Sequence, residues 1–79
     1  MRMRIYDGKN KKTLKSILIM LTPVEINELV GALQSLNMKN DHVHLDDEEY
    51  KREITVGLYT PQNTLNFSDE IIRLIQEDE

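Results

Sequence analysis

Alternating apolar and polar residues predict β-strands in this chain, because side chains at every second position of a strand share one face. The predicted strands are residues 1–7, 14–21, 42–45 and 50–59. Residues 14–21 differ from the other three stretches because they are apolar at nearly every position, as in a strand covered on both faces. A polar turn that contains Gly8 joins the first two strands, and Gly8 is expected to supply the backbone freedom of that turn.

A helix over residues 21–38 is predicted by a period near 3.6 in its apolar residues. Its start is marked by Thr22 and Glu25, which have the spacing of a reciprocal capping box, and by Pro23 at the first helical position. The apolar stripe that should face a sheet consists of Ile26, Leu29, Val30, Leu33 and Leu36. Asn37 and Asn40 are suited to end the helix.

A second amphipathic helix is predicted after Ser68, which has the position of an N-cap. Residues 60–66, which include a proline, are expected to form a loop before it, and residues 75–79 a frayed acidic tail. Each predicted hairpin is followed by a helix. The sequence therefore predicts an α+β fold, ββαββα, with a four-stranded antiparallel sheet and both helices packed on one face, forming a single domain over residues 1–79.

The chain of 79 residues is acidic overall, with a formal net charge of −4. Residues 1–15 carry six basic and one acidic side chain, or +5, whereas the other 64 residues carry four basic and thirteen acidic side chains, or −9. There is no cysteine, which excludes disulfides and thiolate chemistry and fits a cytoplasmic location. A domain of this size has a small core, so we expect either a monomer or a homodimer stabilised at its interface.

The His42-Val43-His44 stretch is the most suggestive chemical pattern in the sequence. In a strand, His42, His44 and Asp46 project from the same face, and two imidazoles with a carboxylate are ligands for zinc or a similar divalent ion. The alternative is that both histidines lie on the solvated face of the sheet because Val43 and Leu45 occupy the inner one. A metal site would need a further ligand from across the strand pair, such as Glu53.

An acidic hairpin tip follows the histidines, and it lacks the alternating ligands and central glycine of a calcium loop. Such a protrusion suits a basic protein surface. Together with the open face of the sheet, it gives a predicted partner-binding set of His42, His44, Asp46, Asp47, Glu48, Glu49, Glu53, Thr55 and Tyr59.

The basic first hairpin offers an alternative, nucleic-acid binding through Arg2, Arg4, Lys9, Lys11, Lys12 and Lys15. Against it stands the acidic pI of about 5.1 and the single nearby aromatic residue, Tyr6. No enzyme is predicted and no cofactor is expected, since the sequence contains none of the common catalytic or phosphate-binding motifs. Nor does it contain an apolar run long enough for a membrane span.

Residues 21–59 resemble small bacterial α+β proteins of the immunity type or of uncharacterised function. The resemblance lies in the capped helix "LTPVEINELVGALQSL" and in "HVHLDDEEYKREITVGLY", chiefly in its His-x-His-Leu strand and its Glu53-Ile54-Thr55. It implies binding and neutralising a cognate toxin without catalysis. The sequence thus favours a non-catalytic protein-interaction domain of the immunity or phage-accessory kind. The alternatives are nucleic-acid binding and a histidine-centred metal site.

Overall fold

The computed structural model describes residues 2–78, without the side chain of Leu65, so Met1 of the predicted first strand and Glu79 of the predicted tail lie outside it. Its elements are β1 (Ile5–Asp7), β2 (Lys12–Leu14), α1 (Pro23–Gln34), β3 (His42–Asp46), β4 (Glu53–Gly57), a 3-10 turn (Thr64–Asn66) and α2 (Asp69–Glu77). The strands form two separate antiparallel pairs, β1–β2 and β3–β4. The α+β class is confirmed, whereas a single four-stranded sheet in the order ββαββα is not.

The chain divides into two compact units. Unit 1 combines Met1–Ile19 with Thr60–Glu79 and holds β1, β2, the 3-10 turn and α2. Unit 2 is Met20–Tyr59 and holds α1, β3 and β4. Among the side chains that the structure describes, only Leu74 in unit 1 and Leu45 in unit 2 are buried hydrophobic ones. A single domain over the whole chain stays a prediction.

The turn of the first hairpin is organised by Asp7. Its Oδ1 accepts the backbone N–H groups of Lys9 (3.0 Å) and Asn10 (3.1 Å), an arrangement that reverses the chain within a few residues. The expectation that Gly8 supplies the unusual backbone conformation is wrong. Lys11 adopts the left-handed conformation, with φ 54°, and Gly8 does not. The unfavourable backbone conformation of the four-residue loop 8–11 is therefore that of Lys11, next to β2.

The apolar stretch 14–21 is not a strand beyond its first residue. The β1–β2 ladder ends at the pair Ile5 and Leu14, and residues 16–22 lie in no helix or strand. Directly beyond the ladder, Arg4 and Lys15 both extend to the carboxylate of Asp78, at 2.6 and 3.4 Å. The residues that follow Lys15 have no strand beside them, so the apolar stretch lacks the pairing that its composition suits.

α2 contacts the first hairpin of unit 1 near both of its ends. Ser68 caps it by accepting the Ile71 N–H at 3.3 Å, and Glu70 in its first turn accepts the Tyr6 hydroxyl at 3.0 Å. The predicted frayed tail is instead helical through Glu77. Asp78 follows directly, its side chain 9 % exposed against Arg4. The contacts of Asp78 with the hairpin, rather than helix propensity, hold this end in place.

The loop before α2 contains the most buried polar residue of the structure, Asn63, which is 1 % exposed. Its Oδ1 accepts the N–H of Thr60 at 2.9 Å, and the Thr60 hydroxyl accepts the Asn63 N–H at 3.2 Å. This reciprocal pair has the hydrogen-bond pattern of a capping box, and it fixes the turn 60–63 directly before the 3-10 turn Thr64–Asn66. The predicted loop 60–66 is therefore an ordered turn fixed by one amide side chain.

In unit 2, the capping box of α1 is confirmed. The Thr22 hydroxyl accepts the Glu25 N–H at 3.3 Å, and Glu25 Oε1 accepts the Thr22 N–H at 2.9 Å. The helix ends at Gln34, earlier than the predicted residue 38, because Asn37 Oδ1 accepts the N–H groups of Lys39 and Asn40 and turns the chain. No helix between residues 2 and 78 has the length and apolarity needed to cross a membrane.

The apolar face of α1 is only partly covered. α1 packs on β3, with Leu29 and Leu36 half-buried, whereas Ile26, Val30 and Leu33 remain 43 to 49 % exposed. At 100° per residue, these two groups lie on adjacent parts of one wide apolar arc. A two-stranded hairpin is too narrow to cover that arc. The single core-facing stripe that the sequence predicts is therefore half exposed.

We expect Asn63→Ala to lower the free energy of unfolding by about 1–3 kcal/mol, because the half-buried Thr60 N–H loses its acceptor. Asn66→Ala is the matched control, three residues along on the exposed side of the same turn, and it should change stability by less than about 0.5 kcal/mol. Urea denaturation followed by circular dichroism measures both. Equal effects of the two substitutions would contradict the role assigned to Asn63.

Candidate functional site

The outer face of the β3–β4 hairpin carries the polar residues that the sequence assigns to it. The register pairs His42 with Gly57, His44 with Thr55 and Asp46 with Glu53. All six positions are exposed, whereas Leu45 is buried and Val43, Ile54 and Val56 are half-buried on the other face. This alternation confirms that the two histidines are displayed rather than enclosed, because the pleat turns the aliphatic residues inward.

His44 is the centre of a hydrogen-bond network on this face. Its Nδ1 lies 2.8 Å from the Thr55 hydroxyl and 3.1 Å from Glu53 Oε1. The Thr55 hydroxyl in turn donates to Glu53 Oε1 at 3.1 Å. With Nδ1 held in this way, the Nε2 edge of the imidazole is the one left to meet another molecule. The face therefore presents a fixed row of hydrogen-bonding groups.

His42 extends this row but does not complete a metal site. Its Nδ1 lies 3.0 Å from Asp41 Oδ1, and its ring meets the His44 ring edge to face, with centroids 5.3 Å apart. Within residues 2–78, no three histidine, cysteine or acidic side chains are placed to hold a metal ion. His42, His44 and Asp46 thus share a face without converging, and the structure does not support the metal alternative.

The hairpin tip is a six-residue loop, 47–52, and Asp47 organises it. Asp47 Oδ1 accepts the N–H groups of Lys51 (2.9 Å) and Arg52 (3.3 Å), while Oδ2 pairs with the Arg52 guanidinium at 2.9 Å. The Lys51 N–H and the Arg52 guanidinium, both of which favour the carboxylate, lower the pKa of Asp47. Asp47 was predicted to contact a partner, but its carboxylate is engaged within the loop.

Tyr50 in this loop combines a highly exposed side chain with an unusual backbone conformation. Its side chain is 83 % exposed, and its backbone has φ 55°. A left-handed conformation costs a non-glycine residue roughly 1–2 kcal/mol, and here no burial of the ring offsets that cost. The tyrosine is thus held outward on a loop whose backbone would suit glycine better.

Acidic residues from two elements of unit 2 converge beside Tyr50. α1 contributes Glu25 and Glu28, and the end of β3 with its loop contributes Asp46, Asp47 and Glu48. Together with Val24 and Tyr50, they line a shallow depression of about 320 Å³. Packing of α1 on β3 brings these side chains together. Glu25 and Asp47 already accept hydrogen bonds within unit 2. The depression therefore offers a partner the carboxylates of Glu28, Asp46 and Glu48, beside an aromatic ring and an aliphatic side chain, which suits a basic surface with some apolar area.

Some members of this site were not predicted from the sequence. The sequence pattern gives Glu25 only a capping role and does not single out Glu28. It predicts that Tyr50 begins a strand, which in the structure begins at Glu53. Tyr59, predicted to lie on the open face, is half-buried beyond the end of β4. The missing glycine in the acidic tip was the one signal that could have drawn attention to Tyr50.

The basic hairpin of unit 1 is largely neutralised within its own unit. Arg4 and Lys15 pair with Asp78, and Lys11 lies 3.7 Å from Glu70. A phosphate backbone would have to compete with these carboxylates for three of the six basic side chains. The remaining three are Arg2, which reaches a backbone oxygen of Asp78, and Lys9 and Lys12 near the turn. The structure therefore adds nothing in favour of the nucleic-acid alternative.

Comparison of this chain with protein-family models, with curated proteins and with solved structures finds no match.

The hydrogen bonds of Asp47 lead to a pH-dependent prediction. Because folding lowers its pKa, the carboxylate stabilises the folded tip fully above the unfolded value of about 3.9, and this stabilisation is lost as the pH falls through the lowered value. We expect NMR to show the Lys51 and Arg52 amides protected from exchange at pH 6 and progressively exposed below about pH 4.

Asp47→Ala should remove this protection at every pH. Asp46→Ala is the matched control, an exposed neighbour on β3, and it should leave the two amides unchanged. Protection of the Lys51 amide that persists in Asp47→Ala would contradict the role of Asp47 in the loop.

Proposed function

We propose that this chain is a non-catalytic protein-interaction domain that binds a basic partner protein through unit 2. The observation that carries the proposal is the acidic depression beside Tyr50, where carboxylates from α1 and from the hairpin tip converge. The resemblance of residues 21–59 to immunity-type proteins suggests the class of partner, a toxin with a basic surface. A phage-accessory role would use the same surface against another basic protein.

Charge supports this choice of partner. Residues 20–59 hold eight acidic and three basic side chains, so unit 2 has a formal charge of −5, although the whole chain has −4. Complementary potentials of this kind raise association rates by about 10- to 1,000-fold. They also exclude acidic proteins and nucleic acids, since like charges repel. Unit 2 is therefore suited to capture a basic surface quickly.

The side chains of the proposed binding surface are already ordered in the free protein, which supports its assignment. The network of His44, Glu53 and Thr55 fixes the sheet face, and the bonds of Asp47 fix the tip. A surface that is ordered before binding avoids the entropy cost of fixing side chains on association. This suits a protein that must bind tightly without a large apolar interface.

Tyr50 has the properties of a binding anchor. Tyrosine is enriched among the residues that contribute most to binding energy, because it offers a large rigid area and a hydroxyl. Backbone strain at a residue whose ring is not buried is a further reason to assign a function to it. We assign Tyr50 to the centre of the contact and the acidic residues to its rim. His42 and His44 extend the contact along the sheet.

Two further features belong to the proposal. The first is a cytoplasmic location, which the absence of cysteine fits. The second is the four-stranded ββαββα arrangement with both helices on one face. Its support is that each strand pair is followed along the chain by an amphipathic helix.

Charge reversal tests the proposed surface. We expect the double variant Glu48→Lys with Glu49→Lys to slow association with the partner at least about tenfold at low salt, because attraction becomes repulsion. The partner is first captured from extract of the host cell on immobilised wild-type protein and identified by mass spectrometry. Biolayer interferometry then measures the rates.

The matched control is Lys11→Glu with Lys12→Glu at the turn of unit 1, which should leave the association rate almost unchanged. Weaker binding in this control alone, together with loss of DNA binding at low salt, would instead favour the nucleic-acid alternative.

Substitution of Tyr50 separates its function from its structural cost. Tyr50→Gly should stabilise the fold by about 1 kcal/mol, because glycine adopts positive φ without strain, and it should weaken partner binding. Tyr50→Ala should weaken binding to the same extent without the gain in stability. Thermal unfolding and interferometry report the two effects. Full partner binding by Tyr50→Gly would exclude the ring from the contact.

A further inference from the structure

Two features that are unfavourable in a folded protein occur together in the stretch Ser16–Leu21, one in its side chains and one in its backbone. Its apolar side chains are exposed, with Ile17 at 56 %, Leu18 at 82 % and Met20 at 84 %. Its backbone forms no hydrogen bond in the part of the chain that the structure describes. Six consecutive backbone donors and acceptors next to exposed Ile, Leu and Met form a template for pairing with another strand.

We propose that this stretch pairs antiparallel with the same stretch of a second copy, so that the protein forms a twofold-symmetric homodimer. A twofold axis perpendicular to the strands places one residue opposite itself. Thr22 already donates its N–H to Glu25 within the capping box, which ends the available stretch. A register centred on Leu18 therefore pairs residues 16–20 and leaves that box intact.

The lack of charged side chains and the residue types of the stretch favour a second copy as the partner strand. Residues 16–24 contain no charged side chain, so self-pairing places no like charges opposite each other. The stretch also lacks proline and glycine before Pro23, and its isoleucines favour strands. A basic or acidic partner would find no complementary charge here. An identical apolar strand, in contrast, satisfies both the backbone and the side chains.

The apolar area of the stretch itself agrees with a dimer that depends on concentration. Ile17, Leu18, Ile19 and Met20 are 45 to 84 % exposed. A fully buried aliphatic side chain removes roughly 60–120 Å² of apolar surface from water, so the exposed parts of these four side chains offer about 160–320 Å² per copy. A stable interface of standard size buries about 800 Å² per partner, of which about 60 % is apolar. The backbone hydrogen bonds of the paired strands therefore supply a large part of the contact.

A single cysteine at the predicted axis tests the pairing, because the chain has no cysteine of its own. Opposed residues of an antiparallel pair lie about 4.5–5.5 Å apart at Cα, within the range of a disulfide. Leu18→Cys should therefore form a disulfide dimer in a glutathione buffer. Met3→Cys is the matched control, since Met3 is 81 % exposed and lies outside the stretch.

Light scattering should give twice the chain mass of 9.3 kDa for the wild type. Leu18→Cys should crosslink at least about tenfold faster than Met3→Cys at micromolar protein, because pairing holds the two thiols at a far higher effective concentration. A wild-type monomer at all concentrations, or equal crosslinking rates, would overturn the proposal. Protected amides at residues 16–21 in a monomer would overturn it as well, since the stretch would then pair within its own chain.

Complementary charges give a second test that does not depend on crosslinking. Leu18→Glu and Leu18→Lys should each be monomeric, because like charges meet on the axis, and should still be folded by circular dichroism, because residue 18 is exposed in the single chain. Mixing the two should restore the dimer. Variants that remain dimeric when alone, or that remain monomeric when mixed, would exclude self-pairing at this register.

Discussion

Small apolar cores make this protein depend on side-chain oxygen atoms that accept backbone and guanidinium hydrogen bonds. Asp7 and Asp47 close the two hairpin turns, and Asp78 holds the end of α2 against the first hairpin. The lowered pKa of each of these carboxyls has the same origin, since each carboxylate accepts hydrogen bonds that would be lost on protonation. Asn63 acts similarly without charge. The fold is therefore fixed at a few polar points rather than by broad apolar packing.

The turns of the two hairpins share one design, but they place different residues in the left-handed conformation. In both, an aspartate at the start of the loop accepts backbone N–H groups, and one later residue takes a left-handed conformation. In the first loop that residue is Lys11, near Glu70. In the second it is Tyr50, whose ring is displayed beside the acidic depression. The same turn design thus displays a lysine in unit 1 and an aromatic ring in unit 2.

Features that depend on residues close in sequence could be predicted, whereas those that depend on tertiary packing could not. The capping box of α1 follows from Thr22 and Glu25 alone, and the exposure of His42 and His44 follows from the period of a strand. The convergence of Glu25 and Glu28 with the hairpin tip depends on how α1 packs on β3, which no local pattern encodes. Asn63 and Asp47 were missed in their structural roles because bonds from side chain to backbone leave no periodic signal. The stretch 14–21 has the composition of a strand, but strand formation needs a neighbour.

The two exposed surfaces differ in chemistry, and this difference determines how they act together. The acidic surface of unit 2 suits a basic protein, whereas the uncharged stretch 16–21 suits a copy of itself, so neither competes for the partner of the other. The twofold dimer proposed above would carry two acidic surfaces. Against a partner that is itself dimeric, the second contact becomes intramolecular and can strengthen binding by about 100- to 10,000-fold without any new contact. In that proposal, a domain with so little buried area would gain affinity through symmetry rather than through size.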